Sequence, residues 1–471
     1  MAEGGTGART GAPARVAVVG GGVAGLAAAH HLRRIAGPRV AVTVYEAAGA
    51  PGGKLRTGRL AGQRVEYGAE AFLTADPVTG GDSAALALAR DVGLGDALRH
   101  PRTGTAAIAV GGELHPVPAG TLVGVPGDPG ALPPLATATD EPRDRHDAPL
   151  LPDGADVSVG GLVRARLGDQ VVDRLVDPML GGVYAGRADD LSLAATMPAL
   201  ARACRTETTL TAAVRAALAA RPRRPGAPVF AAVDGGLGRL VTAVAAAAGA
   251  DLRTGSTVRG LRPHPGGGWQ LTVGPTPAEA HVRADAVVLA VPARPAARLL
   301  AAAAPGSAEP VAALRYASVA LVTLALPADA VLPELSGLLV AGGGDGLVKA
   351  ATFFGRKWGR GDGAPVLLRA SVGRYGQEAQ LQIADSALVG AVTAELRALL
   401  GGLPEPLAAH VQRWGGALPQ YRPGHLDRVA AARAALPPRL ALAGAAYDGI
   451  GIPACVASGQ RAAEAIWHSL T

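Results

Sequence analysis

Gly20, Gly22 and Gly25 fall in G-x-G-x-x-G spacing, directly behind the apolar run Val16 to Val19 and ahead of Leu26, Ala29 and Leu32 at helical intervals. Glycines so placed have separate uses. The first lets the chain turn tightly out of a strand, the second lets backbone come close to a pyrophosphate, and the third lets a helix lie against that strand. The helix N-terminus then meets the phosphates with free amides and the positive end of its dipole. Glu46 ends a second β-branched run, Val40 to Val44, 21 residues beyond Gly25, where a carboxylate can hold ribose hydroxyls. Glycine spacing alone is a weak signal, since a glycine-rich turn that binds nothing looks the same. Strand, glycines, helix, strand and acid in this order specify a site for a dinucleotide.

The segment after Glu46 narrows the dinucleotide. Gly52-Gly53-Lys54-Leu55-Arg56-Thr57 resembles the E-x5-G-G-[RK]-x-x-[TS] extension of the FAD-dependent amine oxidase and desaturase superfamily. The resemblance implies FAD as the cofactor and not NAD. It implies contacts from Gly20, Gly22, Val23, Ala24, Gly25 and Glu46 in the first unit, from Gly53 and Lys54 along the diphosphate, and from Gly68, Ala69, Glu70 and Ala71 near the flavin ring. Lys54 stands where many members have arginine, so a point charge replaces a two-pronged grip. Far downstream, Gly444, Gly451, Ile452 and Pro453 join a strand to a helix, and the resemblance adds these together with Val258 and Trp414. A helix N-terminus there would stabilise the negative charge that builds on a reduced flavin, and Pro453 suits a first turn. Without the N-terminal motif, the same segment reads as an ordinary helix start.

Longer stretches bear on the substrate. Pro178 to Leu193 (PMLGGVYAGRADDLSL), Gly424 to Val429 (GHLDRV) and Tyr447 to Gly459 (YDGIGIPACVASG) are similar to segments of the protoporphyrinogen and coproporphyrinogen oxidases of that superfamily, as are His115 to Pro118 and the pattern from Leu367 to Gly373. The likeness covers nearly the whole chain and extends to the Gram-positive bacterial coproporphyrinogen III oxidases. It implies oxygen-dependent oxidation of a porphyrinogen in haem biosynthesis, by successive two-electron steps in which FAD is reduced and molecular oxygen restores it, releasing hydrogen peroxide. It also implies transient contact with a downstream ferrochelatase. Coproporphyrinogen III carries four propionates and protoporphyrinogen IX two, so charge separates them. Between Lys349 and Arg374 the chain sets Lys349, Arg356, Lys357, Arg360, Arg369 and Arg374 against Asp362 alone. That excess favours coproporphyrinogen III, with protoporphyrinogen IX as the alternative; a solvated sheet face would show the same charges.

The substrate contacts expected from this reading are Tyr184, Lys349 and Arg369. No catalytic base has a signature, because flavin N5 carries the chemistry. A flavin amine oxidase of the same fold is disfavoured by Ala443-Gly444-Ala445 where those enzymes read A-G-E, and a carotenoid desaturase by the VYAG segment. A non-catalytic flavin or tetrapyrrole carrier would keep the same fingerprints.

These residues need elements to hold them. A chain of 471 residues exceeds one hydrophobic core, and 49% apolar against 18% charged residues is the balance of packed domains. The expected class is α/β: a Rossmann-type FAD-binding domain, split in sequence, with a mixed-sheet substrate domain and a helical domain. Residues 1–14 read as a flexible tail, 15–85, 226–295 and 411–471 as the three parts of the FAD-binding domain, 86–225 as a helical and substrate region, and 296–410 as the substrate-binding sheet domain. Within the helical region, 126–152 reads as a disordered surface loop, crowded with Pro, Asp, Arg and Gly.

Composition excludes other roles. Cys204 and Cys455 stand far apart, so no disulfide framework or CxxC site exists, and the ten histidines show no metal-ligand spacing. The net charge of +7 comes from scattered arginine, with Lys54, Lys349 and Lys357 the only lysines, and 3% aromatic residues cannot supply a nucleic-acid stripe. Val16 to Ala29 could pass for a signal-peptide core, but its glycines and the continuing nucleotide unit argue for a folded segment. No apolar run reaches the roughly 20 residues that cross a bilayer. The expected setting is cytoplasmic, with peripheral contact at the inner membrane face left open.

Overall fold

The computed structural model describes residues 12–132, 134–138, 147–222, 224, 226–342, 346–359 and 363–471. Strands Asp251–Arg253, Val40–Tyr45, Ala14–Val19, Ala286–Leu289 and Leu440–Leu442 lie side by side in that order, all parallel. Successive side chains on a strand point to opposite faces, and here both faces are covered. Val16 and Val18 pack with helices Val23–Ala36 and Ile452–Leu470. Ala17 and Val19 pack with helix Ala293–Ala303 and an antiparallel sheet of Val258–Pro263, Trp269–Val273 and Ala280–Ala284. Burial on both sides is why the central strands read as unbroken Val and Ala runs. The two helices on the first face cross closely because Gly459 has no side chain: a Cβ there would lie 2.1 Å from the Ala24 carbonyl oxygen.

A second, seven-stranded sheet runs in the order Ala408–Gln420, Arg315–Leu326, Val366–Val372, Val348–Phe353, Gly337–Val340, Ala106–Val110 and Glu113–Pro116. Its pairings are antiparallel except where Gly337–Val340 meets Ala106–Val110. Leu388, Val392 and Leu396 of helix Asp385–Leu399 share a core with this sheet. The register slips once along Val348–Phe353. Val348 faces Val372 and Ala350 faces Ser371, which leaves Lys349 as the extra residue of a β-bulge.

The third layer is helical. Val159–Leu167, Asp177–Tyr184, Pro198–Ala203 and Leu210–Ala219 surround one apolar core, and a π-helical turn at Val172–Val176 runs directly into Asp177–Tyr184. Ser158, Ser192 and Thr209 cap helix starts by accepting a backbone amide three residues on.

The helical and substrate region 86–225 sends Ala106–Val110 and Glu113–Pro116 into the seven-stranded sheet. Two other expectations need adjustment. Position 411 falls inside strand Ala408–Gln420, which belongs to that sheet and not to the parallel one. Within 126–152, Leu135, Ala136, Leu150 and Leu151 are buried in the helical core. Four apolar side chains anchor a stretch whose Pro and charge content had suggested a free loop. Asp140 and the rest of 139–146 lie outside the described residues, as do 1–11.

Candidate active site

The parallel sheet delivers the glycine turn at the end of Ala14–Val19. Gly20 takes a φ of +109°, and a Cβ on it would sit 2.5 Å from the Ala290 carbonyl oxygen. A Cβ on Gly25 would lie 1.9 Å from the Gly20 carbonyl oxygen, so this glycine lets the helix rest on the turn. Gly22 differs. A Cβ there meets no protein atom within 4 Å, and the residue lines a cavity of about 660 Å³. The fold itself requires Gly20 and Gly25; Gly22 matters for what the cavity holds.

That volume lies within the roughly 300–1,000 Å³ of ligand sites. Val23, Ala24, Glu46, Gly53 and Lys54 bring the parallel-sheet side to its wall, and Val319, Leu321, Lys349, Ser371 and Trp414 bring the seven-stranded sheet. Gly444, Ile450, Ile452 and Cys455 join from the turn and helix near the end of the chain, and Gly182 and Val183 from the helical layer. The Glu46 carboxylate accepts the Gly21 and Ala48 amides, each at 2.8 Å, which fixes it at the cavity edge. Trp414 is fixed by its indole N–H, which donates to the Tyr67 carbonyl at 2.7 Å. Lys54 is half-buried, and no carboxylate pairs with it among the described residues. Burial holds its amine below the usual lysine range. Nearby, burial pushes the Cys455 thiol up to about 12, so the thiol stays protonated. Helix Ile452–Leu470 starts at this wall with Gly451 at its N-cap and no side-chain cap, leaving first-turn amides without intrahelical acceptors.

Of the residues expected to hold the cofactor, Gly20, Gly22, Val23, Ala24, Glu46, Gly53, Lys54, Gly68, Ala69, Val258, Trp414, Gly444 and Ile452 line this one cavity. Gly25, Gly451 and Pro453 adjoin wall residues in the chain but do not themselves line the cavity. Glu70 and Ala71 do not reach it. The Glu70 carboxylate instead pairs with Lys357 and, at 2.5 Å, with Arg369, beside a separate polar cavity of about 550 Å³. Arg369 also donates to the Glu66 and Gly68 carbonyls at 2.7 and 3.0 Å.

The cations expected near the substrate have protein partners. Arg369 and Lys357 share the single charge of Glu70, Arg356 pairs with Glu334 at 2.5 Å, and Arg374 faces Asp177 at 3.4 Å; Arg360 lies outside the described residues. Tyr184 is buried 5.5 Å from the Tyr421 ring, away from the wall that its neighbours Gly182 and Val183 reach. A helix turns each successive side chain by about 100°, so flagging the segment does not flag the right residue. Of the three expected substrate contacts, Lys349 alone is on the wall. Tyr316, Ser371 and Cys455 went unread. Their only signal is membership of a strand or helix whose cavity-facing side is set by distant partners.

Residues 23–467 match the model of the family described as flavin containing amine oxidoreductase. The chain belongs to this family. Its relatives include coproporphyrinogen III oxidase of Mycobacterium tuberculosis strain H37Rv, 40% identical over 97% of this chain and 98% of that one. Coproporphyrinogen III oxidase of Bacillus subtilis strain 168 is 30% identical, over 95% and 96%. A crystal structure of a protein from Exiguobacterium sp. 255-15 superimposes with a TM-score of 0.81 at 29% identity, covering 97% of this chain and 99% of that one. The chain is thus an FAD-dependent oxidoreductase of the amine-oxidase fold.

The site fits this flavin family on its own geometry. Gly22 leaves open the space that a side chain would fill, Lys54 is a cation lacking a protein counter-charge among the described residues, and Glu46 sits where a ribose can meet it. A flavin dinucleotide needs each of these.

Proposed function

We propose that this chain oxidises coproporphyrinogen III to coproporphyrin III, with molecular oxygen as the final acceptor and hydrogen peroxide as by-product. The observation that carries this reading is 40% identity across nearly the full length of a coproporphyrinogen III oxidase. FAD, when bound, supplies the two-electron acceptor. The chain's own residues bind and orient. Gly22 admits the diphosphate, Lys54 balances its charge, and Glu46 receives ribose hydroxyls. Gly444 and the amides that open Ile452–Leu470 stand where they would stabilise negative charge on the ring system.

On the opposite wall, Val319, Leu321, Ala417 and Leu418 give an apolar surface suited to a tetrapyrrole and hostile to water. Val183 is 53% exposed and reaches the same cavity, so the helical layer offers a way in for a large substrate. No wall residue among those described combines a carboxylate with a free position for proton abstraction: Glu46 is held by two amides. Contact with a ferrochelatase or with a membrane surface belongs to the same proposal. Leu73 and Phe230, paired across two short strands and both exposed, are the described surface best suited to it. No helix among the described residues is long and apolar enough to cross a membrane.

An aerobic assay tests the reading. Flavin-loaded protein should convert coproporphyrinogen III to a fluorescent porphyrin with matching oxygen consumption, and faster than it converts protoporphyrinogen IX. A rate no greater than spontaneous oxidation rejects the activity; a preference for protoporphyrinogen IX replaces the substrate.

A further inference from the structure

The β-bulge puts Lys349 on the cavity wall beside Ser371 and Leu321. Bulges commonly re-aim one side chain next to a functional site. Lys349 is only 3% exposed, and among the described residues no hydrogen bond or ion pair engages its amine. The groups around it offer no counter-charge. Ser371 on the neighbouring strand is neutral, and Arg374 just beyond that strand repels the amine. Asp177 of helix Asp177–Tyr184 is turned to Arg374 and to the Ala188 amide, with Arg187 also near. Glu395 of helix Asp385–Leu399 accepts the amides of Leu347 and Val348. Burial first, and Arg374 second, push the Lys349 amine down to about 7. A buried amine without a partner is an unfilled half of an ion pair.

We propose that Lys349 receives one carboxylate of the substrate, an inference that rests on the porphyrinogen reading above. The porphyrinogen's propionate supplies the missing counter-charge, so the amine takes up a proton from solvent as the carboxylate docks. Arg374 adds attraction from behind. A fully esterified porphyrin brings no charge and gains nothing from Lys349.

Flavin-loaded, full-length protein is titrated with coproporphyrin III and with its tetramethyl ester, in weak buffer at pH 8 containing an indicator dye. Wild-type protein should take up on the order of one proton per tetra-acid bound and none with the ester. Lys349→Met should keep its flavin, lose the uptake and bind the tetra-acid roughly tenfold more weakly, a loss of about 1.4 kcal/mol, with ester affinity unchanged. Lys349→Arg should recover affinity without uptake, since arginine is already charged. Equal tetra-acid affinity in wild type and Lys349→Met overturns the inference while leaving the porphyrinogen reading standing. Wild-type protein that binds neither porphyrin removes the porphyrinogen reading and the inference with it.

Discussion

Gly22 and Gly25 lack side chains for opposite reasons, and substitution separates them. Gly22→Val places its new atoms in the cavity, so the protein should fold with the cooperative transition of flavin-free wild type yet carry little flavin by absorbance. Gly25→Val drives a Cβ into the Gly20 carbonyl and should cost the cooperative transition itself. Full flavin in Gly22→Val would remove this residue from the cofactor site. Lys349 gives a prediction about pH. Its folded value near 7 lies below the roughly 10.4 of an unfolded lysine, so the native state binds fewer protons between those limits. Stability should therefore rise as pH increases from 7 toward 10. Lys349→Met should stabilise porphyrin-free protein by about 3 to 5 kcal/mol at pH 7 or below, with the gain vanishing near pH 10. Chemical denaturation across that range checks it. The glycines and Glu46 were legible in sequence because each acts within a local βαβ unit. The pairing of Arg369 with Glu70 was not legible, because it spans 299 residues and no local pattern encodes it.

At the scale of elements, the Glu70, Lys357 and Arg369 cluster ties the turn after strand Gln63–Glu66 to helix Phe354–Trp358 and strand Val366–Val372. Burial alone would raise the Glu70 carboxyl, but Arg369 and Lys357 outweigh it and hold it below the usual range. Its contribution is present above the unfolded value of about 4.3 and disappears as pH falls through the lower folded one. Glu70→Gln should raise the net charge of the cluster from +1 to +2, leave Lys357 and Arg369 without a carboxylate partner, and destabilise by about 3 to 5 kcal/mol at pH 7, losing that part of the acid transition. Retained stability would mean that solvent already screens the cluster. The first elements followed from periodicity: the run Val16 to Val19 lies in strand Ala14–Val19, the helical spacing of Leu26, Ala29 and Leu32 in helix Val23–Ala36, and the run Val40 to Val44 in strand Val40–Tyr45. The bulge did not follow. Whether Lys349 or Val348 faces the cavity depends on a one-residue slip against Ser371 and Val372, and period-2 patterning carries no record of it.

For the whole molecule, the cavity has walls from both large sheets, the helical layer and the segment from Gly444 to Cys455. A ligand there binds only the assembled fold, so it stabilises all of it. Removing FAD should lower the thermal midpoint, and restoring it at about a hundredfold over its dissociation constant should return about 2.7 kcal/mol, in wild type but not in Gly22→Val. Scanning fluorimetry with and without added FAD measures this. The close crossing of helices Val23–Ala36 and Ile452–Leu470 through Gly459 has a further meaning for biosynthesis. The first helix leaves the ribosome early, and its partner emerges only after the other layers have been made. Until then Ala24, Ala28 and Leu32 have no cover from that side, and the edge strand Leu440–Leu442 is missing from the sheet. The nascent nucleotide unit must therefore wait, part-built and open to chaperones or misassembly, so cofactor capture comes late in the chain's synthesis.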